Sequence, residues 1–223
     1  MKILGLETSG PAAGVALWED GAVKAEYALH HTLTHSQTLL PMVEKVLADA
    51  DWEISAIDHF AVDTGPGSFT GVRIGVCMAN AMAAAWNKST LEVDALEVLY
   101  AGVQVYPGRV CAMIDAKNGN IYAAQFENGA CVMPPEPTDI HTYCEKIPAH
   151  TLLVGDGAAA YRELLEKSVR NAAFAPVHLN TSRAAALCWA AAKKEPKPEA
   201  APLYLRPSQA ERLYEERMEK KHG

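Results

Sequence analysis

The chain has 223 residues, 49% of them hydrophobic and 21% charged, enough for a sizeable core and for one or two domains. A formal net charge of −7, with basic residues scattered or paired with acids, argues against a nucleic-acid surface of its own. No apolar run is long enough to span a bilayer, the start MKILGLETSG lacks the pattern of a secretion signal, and five widely spaced cysteines contain no CxxC pair. A cytoplasmic protein with free thiols and neither disulfide nor zinc is therefore expected.

Residues 2–8, 13–18 and 22–28 are short apolar runs separated by SGP and EDG turns, the pattern of an antiparallel meander. Residues 36–50 place Leu39, Leu40, Val43, Val46, Leu47 and Ala50 on one broad face of an amphipathic helix. Pro41 belongs near the first turn of such a helix, so a late start or a kink is expected there. The apolar run 59–63 then ends in Gly65, Pro66 and Gly67, and a long helix opens at Ser68, which can cap it, and runs to Asn87. Within it Gly71, Gly75, Ala79 and Ala83 recur every four residues, leaving a stripe almost free of side chains. Each internal glycine costs roughly 1 kcal/mol against alanine, so a close contact along that stripe should compensate. A strand at 90–93 and a helix from Asp94 to about 105 follow, and the alternation requires parallel strands joined by crossovers in a mixed sheet.

Pro107 and Gly108 mark a boundary, after which the pattern restarts with three strands at 109–115, 120–126 and 130–134, joined by Asn-Gly turns. Two α/β domains are expected, 1–105 and 106–223. The second continues through a PPEP loop, a polar helix near 139–146, a strand at 151–155, and helices at 158–168 and 182–193. The run KKEPKPEAAP, 193–202, is read as a surface linker, and the end of the chain as a short apolar anchor with a charge-mixed tail.

The glycine turn at 65–67 has two readings. Backbone N–H groups at the opening of a helix can hold a phosphate, but the spacing misses the dinucleotide fingerprint, with Thr70 where its third glycine would stand, and no P-loop lysine follows. A tight strand-to-helix turn is the better fit. His31 and His35 stand four apart and could hold zinc on a helix, or serve as surface or capping residues.

Taken together, ILGLETSG at the start, HSQTLLP at 35–41, AVDTGPGSFTGVRIG at 61–75, DAKNGNIY at 115–122 and PLYLR at 202–206 resemble the TsaB (YeaZ) family of bacterial tRNA threonylcarbamoyladenosine biosynthesis proteins. The resemblance implies a duplicated actin-like, ribonuclease-H-like (ASKHA) fold. It also implies a non-catalytic subunit that pairs with the catalytic TsaD-like protein, with a TsaE-like ATPase and, in isolation, with itself, tRNA being held only through the complex. No cofactor of its own is implied, and ATP would come through the ATPase. TsaD-like paralogues carry Asn-His-Ile-Glu-Gly-His where this chain has Asp94, Ala95, Leu96, Glu97, Val98 and Leu99, so both histidine positions are apolar and no metal is expected.

In that light Leu39, Leu40, Val43, Val72 and Val76, beside the seam of Gly71, Gly75 and Ala79, are the expected partner interface, and a bulky residue at Gly75 is expected to abolish partner binding without unfolding. Glu7, Thr8 and Ser9 stand where actin-like folds carry a phosphate loop, and Asp156 lies where they hold adenosine. These, with Gly65, Gly67 and Ser68, are nucleotide or phosphate candidates, or ordinary turn residues. Asp115 and Lys117 are a partner or phosphate contact, or a solvated hairpin turn. Lys117, where the family more often has arginine, cannot offer arginine's bidentate fork. The rival function is an ATP-dependent phosphotransferase or nucleotide-binding protein of the actin-like superfamily.

Overall fold

Strand β1 (Lys2–Glu7) lies at the centre of a five-stranded sheet with β2 (Ala13–Glu19), β3 (Ala22–Leu29), β4 (His59–Asp63) and β5 (Ser89–Val93), in the order β3-β2-β1-β4-β5. The computed structural model describes residues 1–30 and 34–206, so His31 with its zinc reading and the tail from 207 onward lie outside the described residues. β1 to β3 form an antiparallel meander, while β4 and β5 run parallel to β1 and need crossovers. Helices α1 (His35–Asp49) and α2 (Phe69–Trp86) provide them and cover one face. β1 is apolar on both sides because both are covered. Leu4 and Leu6 meet α1 and α2, and Ile3 meets the distant helix at Ala184–Ala191.

The second sheet repeats this plan. After the short helix α3 (Ala95–Ala101), β6 (Val110–Asp115), β7 (Asn120–Glu127) and β8 (Ala130–Asp139) form a meander. Beyond α4 (Ile140–Cys144), β9 (Leu152–Val154) joins it in parallel. Helices α5 (Asp156–Ala160) and α6 (Arg162–Ser168) lead to β10 (Ala173–Phe174), completing the order β10-β9-β6-β7-β8, the arrangement of the first sheet over again. α5 and α6 divide at Tyr161 what the sequence reads as one helix, and the two-residue β10 carries too little pattern to be read at all.

Several expectations are corrected. Pro41 lies within α1 and is exposed, so the helix runs through it from Thr34, whose N–H donates to Gln37 Oε1 at 3.2 Å, and the carbonyl that proline leaves without a donor can turn to water. The PPEP segment belongs to β8, where proline is tolerated because β8 is the edge of its sheet. α7 (Ala184–Ala191) packs Ala184, Leu187 and Cys188 on β1 and β2, so this helix belongs to the first lobe and not to the second domain expected to hold it from sequence. Residues 193–202 are no free linker either. Lys197 pairs with Thr90 on the open side of β5, its N–H donating at 2.9 Å and its carbonyl accepting at 2.8 Å.

The largest correction concerns the glycine seam. A Cβ on Gly71 would fall within contact distance of the Thr8 carbonyl oxygen, and one on Gly75 on the Thr8 hydroxyl, which itself donates to the Gly71 carbonyl at 2.8 Å. The close contact that compensates the glycines is therefore the end of β1. Leu39, Val43, Val72, Val76 and Ala79 are buried in the same core as Leu4, Leu6 and Val62. Of the eight expected interface residues only Leu40, 47% exposed, is at the surface. Spacing identifies an apolar face, and both helices turn that face to their own sheet.

Gly71→Ala is expected to destabilise the protein by about 1–3 kcal/mol in urea unfolding, because overpacking against a backbone oxygen outweighs the gain in helix propensity. Gly75→Leu should unfold the first lobe altogether, reversing the expectation from sequence. A Gly71→Ala protein with an unchanged midpoint would show that the seam has room to spare.

Candidate functional site

The C-terminal ends of β1 and β4 bring three polar side chains into the core. Glu7 is 1% exposed, Ser9 5% and Asp63 0%. Ser9 Oγ lies 2.9 Å from both Glu7 Oε1 and Asp63 Oδ2, and a hydroxyl has one hydrogen to give. The arrangement closes when Asp63 keeps its proton and donates to Ser9 Oγ, which donates on to Glu7. Burial pushes Asp63 well above the ordinary carboxylate range, and the neighbouring Glu7 pushes it further. Backbone amides complete the shell: Ser9 N donates to Glu7 Oε1 at 2.8 Å and Gly65 N to Asp63 Oδ1 at 2.7 Å. Glu7 Oε2 is buried and has no partner among the described residues.

In front of this trio the two lobes enclose a cleft of about 670 Å³. Ser9, Gly67 and Ser68 line it from the first lobe and Asp115, Lys117 and Asp156 from the second. Six candidates far apart in sequence thus converge, whereas Glu7, Thr8 and Gly65 are buried behind the wall. The turn N–H groups of Ser68, Gly71 and Val72 are bonded to Ser9 O, Ser68 Oγ and Ser68 O at 2.8, 3.2 and 2.8 Å. With Gly65 N on Asp63, these bonds favour the tight-turn reading over a free anion cradle.

Across the cleft, Lys117 Nζ sits 2.6 Å from Asp115 Oδ2, and Tyr161 donates to Asp115 Oδ1 at 3.2 Å. Burial pushes Asp115 up, but the bonds from Lys117 outweigh it and hold the carboxyl below its ordinary range. Asp156 accepts the Asp115 amide at 3.0 Å, and its burial raises its pKa. The two cleft carboxylates are thus each tied to a neighbour, Asp115 to Lys117 and Tyr161, and Asp156 to the Asp115 amide. His35 Nε2 is 3.0 Å from the Gly10 carbonyl, tying the first turn of α1 to the loop after β1, while the cap of that helix is Thr34.

Among the described residues no three His, Cys, Asp or Glu side chains converge on one point, and Ala95 and Leu99 are buried. Sequence reasoning missed Asp63, Tyr161 and Asn180, whose Oδ1 accepts the Gly155 amide at 3.0 Å. Asp63 had a signal: a lone acid closing the apolar run at 60–62 against a glycine turn. Tyr161 and Asn180 had none, since only the fold brings them to the hairpin at 115–119 and the turn at Gly155.

Three comparisons place this geometry among known proteins. Residues 30–214 match the family model described as TsaD, tRNA N6-adenosine threonylcarbamoyltransferase. The tRNA threonylcarbamoyladenosine biosynthesis protein TsaB of Escherichia coli K12 is 34% identical over 75% of this chain and 77% of its own. The solved structure of YeaZ from Pseudomonas aeruginosa superposes with a TM-score of 0.74 at 27% identity, covering 92% of this chain and 99% of its own. The 2-hydroxyisocaproyl-CoA dehydratase activator of Clostridium difficile, solved with bound ADPNP, shares the fold at a TM-score of 0.53 and 10% identity, covering 86% of this chain and 94% of its own. The two lobes are the halves of a duplicated actin-like fold.

The proton on Asp63 has a measurable consequence. The unfolded chain releases it near the ordinary aspartate value of about 4 and the folded chain holds it well above, so its contribution is complete below that value and is lost as pH rises through the folded pKa. Asp63→Asn, which keeps an acceptor for Gly65 N and a donor for Ser9, is expected to unfold in urea like the wild type at low pH. It should also lose part of the decline in stability toward alkaline pH. An identical pH profile in the two proteins would place the proton elsewhere.

Proposed function

The chain belongs to the TsaB (YeaZ) family of tRNA threonylcarbamoyladenosine biosynthesis proteins, and from that membership we propose that it is the non-catalytic scaffold or activator subunit of the threonylcarbamoyl transfer assembly. The observation that carries the reading is the pairing of a TsaD-family match over residues 30–214 with apolar, buried Ala95 and Leu99 at the paralogue's histidine positions. Neither side chain offers a lone pair to a metal. The catalytic chemistry then belongs to a TsaD-like partner, and ATP enters through a TsaE-like ATPase and not through a cofactor of this chain. The net charge of −7 agrees with tRNA being held by the partner. Among the described residues no helix is long and apolar enough to cross a membrane.

The surface for that partner, or for a second copy in isolation, is the outward side of α1 and α2. Leu40 is exposed on α1, and Phe69, Arg73 and Cys77 are exposed on α2 with Ile74 and Met78 half-buried between them. This face is apolar at its centre with a cation beside it, the composition of a transient interface core.

The cleft supports a second reading, a nucleotide-binding protein, because it gathers Ser9, Gly67, Ser68 and Asp156 around a cavity of about 670 Å³. Light scattering on the chain alone, and mixed with the TsaD-like subunit of the same organism with and without the ATPase and ATP, separates the two. A heterodimer that becomes ternary with the ATPase supports the scaffold. No complex, together with magnesium-dependent ATP binding by the isolated chain, supports the second reading. Leu40→Glu combined with Cys77→Glu is expected to weaken the heterodimer at least about tenfold while leaving the unfolding midpoint unchanged, since both side chains are exposed.

A further inference from the structure

Residues 195–206 leave α7 and cross the first lobe in an extended path fixed at nearly every step. Lys197 pairs with Thr90 through both backbone groups, and its side chain forms an ion pair with Glu92. At Ala200 the partner is a side chain that acts as a backbone would. Asn80 of α2 donates Nδ2 to the Ala200 carbonyl at 2.9 Å and accepts the Ala200 amide on Oδ1 at 2.8 Å. The Ala201 amide donates to Glu92 Oε1 at 2.7 Å, and the Leu203 amide to the carbonyl of Thr64, at the glycine turn, at 2.8 Å. Tyr204 stacks on Phe69, the first residue of α2, with ring centroids 4.9 Å apart. Pro196, Pro198 and Pro202 alternate with the bonded residues and have no N–H to satisfy, which suits them to an extended strap.

The strap does not end on the lobe that holds it. Arg206 Nη2 donates to Asn120 Oδ1 of the second lobe at 2.8 Å. Asn120 is set to receive it, because its Nδ2 is held by the carbonyls of Lys117 and Asn118 at 3.2 and 3.1 Å, which turns Oδ1 outward. Those two residues, with Gly119, make the turn at positive φ between β6 and β7, the turn that carries Lys117 into the cleft. One continuous run therefore connects the edge of β5, the middle of α2, the glycine turn, the start of α2 and the opposite wall of the cleft.

We infer that residues 195–206 are a latch that sets the opening of the cleft, with Arg206 as its bolt and Asn120 as its catch. Two lobes joined by a cleft move relative to one another by default. Here a strap anchored at six points on one lobe, at residues 197, 200, 201, 203 and 204 by the contacts above and at the side chain of Lys197, hands a charge-assisted bond to a hairpin of the other. Arg206 is positioned by the Tyr204–Phe69 stack two residues before it, so the latch closes without cost in ordering a free side chain's whole segment.

Hydrogen exchange followed by mass spectrometry on the full chain tests this. In Arg206→Ala, amides of the hairpin at 115–122 should exchange roughly tenfold faster, while peptides from β1 and β4 keep wild-type rates. Arg206→Lys, which retains a donor without the planar fork, should fall between. Asn120→Ala also loosens the turn from within, so the decisive comparison is the double variant: the latch requires that adding Arg206→Ala to Asn120→Ala accelerates exchange no further. Unchanged hairpin exchange in Arg206→Ala, additive effects in the double variant, or acceleration spread evenly over both lobes would each overturn the latch and leave a strap that only stabilises the first lobe.

Discussion

The approach of α2 to the end of β1 is the constraint on which the rest depends. Gly71 and Gly75 let the helix backbone come down on Thr8, and the Thr8 hydroxyl fastens the two with a bond to the Gly71 carbonyl. That contact fixes the glycine turn against Ser9, and Ser9 in turn lies between Glu7 and Asp63. A larger residue at the seam would lift the start of α2 and open the wall of the cleft as well as the core. The first lobe's packing and its cleft surface are in this sense one structure.

Two buried acids beside each other are costly unless they divide the labour. In this lobe one keeps its proton and the other accepts, with a serine hydroxyl between and backbone amides on the outside. The trio replaces what an apolar cluster would do with a network that specifies the path of two turns at once, after β1 and after β4. Directional bonds fix those turns in a way that apolar contact alone does not.

The meander, the crossovers and the repetition of the whole plan in the second half were readable in the sequence, because apolar periodicity and Asn-Gly or Gly-Pro-Gly turns are local signals. The placing of Ser9 and Asp156 about one site came only through the resemblance to actin-like folds and not through any local signal. Orientation was not readable: the same spacing of Leu39, Val43, Val72 and Val76 serves a helix facing its sheet or facing a partner, and only burial decides. The strap was misread for a different reason. Its polar, proline-rich composition resembles a linker, and the groups that hold it, Asn80, Glu92 and Thr90, lie more than a hundred residues earlier. β8 was shortened because proline marks a loop unless the strand is at an edge, and edge position is a property of the finished sheet.

The return of α7 to the first sheet bears on how the chain can be made. β1 and β2 leave the ribosome well before α7, yet the apolar side that holds Ile3, Ala16 and Trp18 stays bare until Leu187 and Cys188 arrive. The second lobe, complete by about β10, can close beforehand. The lobe that holds β1 is therefore completed only after its twin, and its uncovered sheet face is exposed throughout the synthesis of that twin. A nascent chain of this order has reason to engage a holdase early, and a premature stop before residue 184 would leave a well-formed second lobe attached to a sheet with one face open to water.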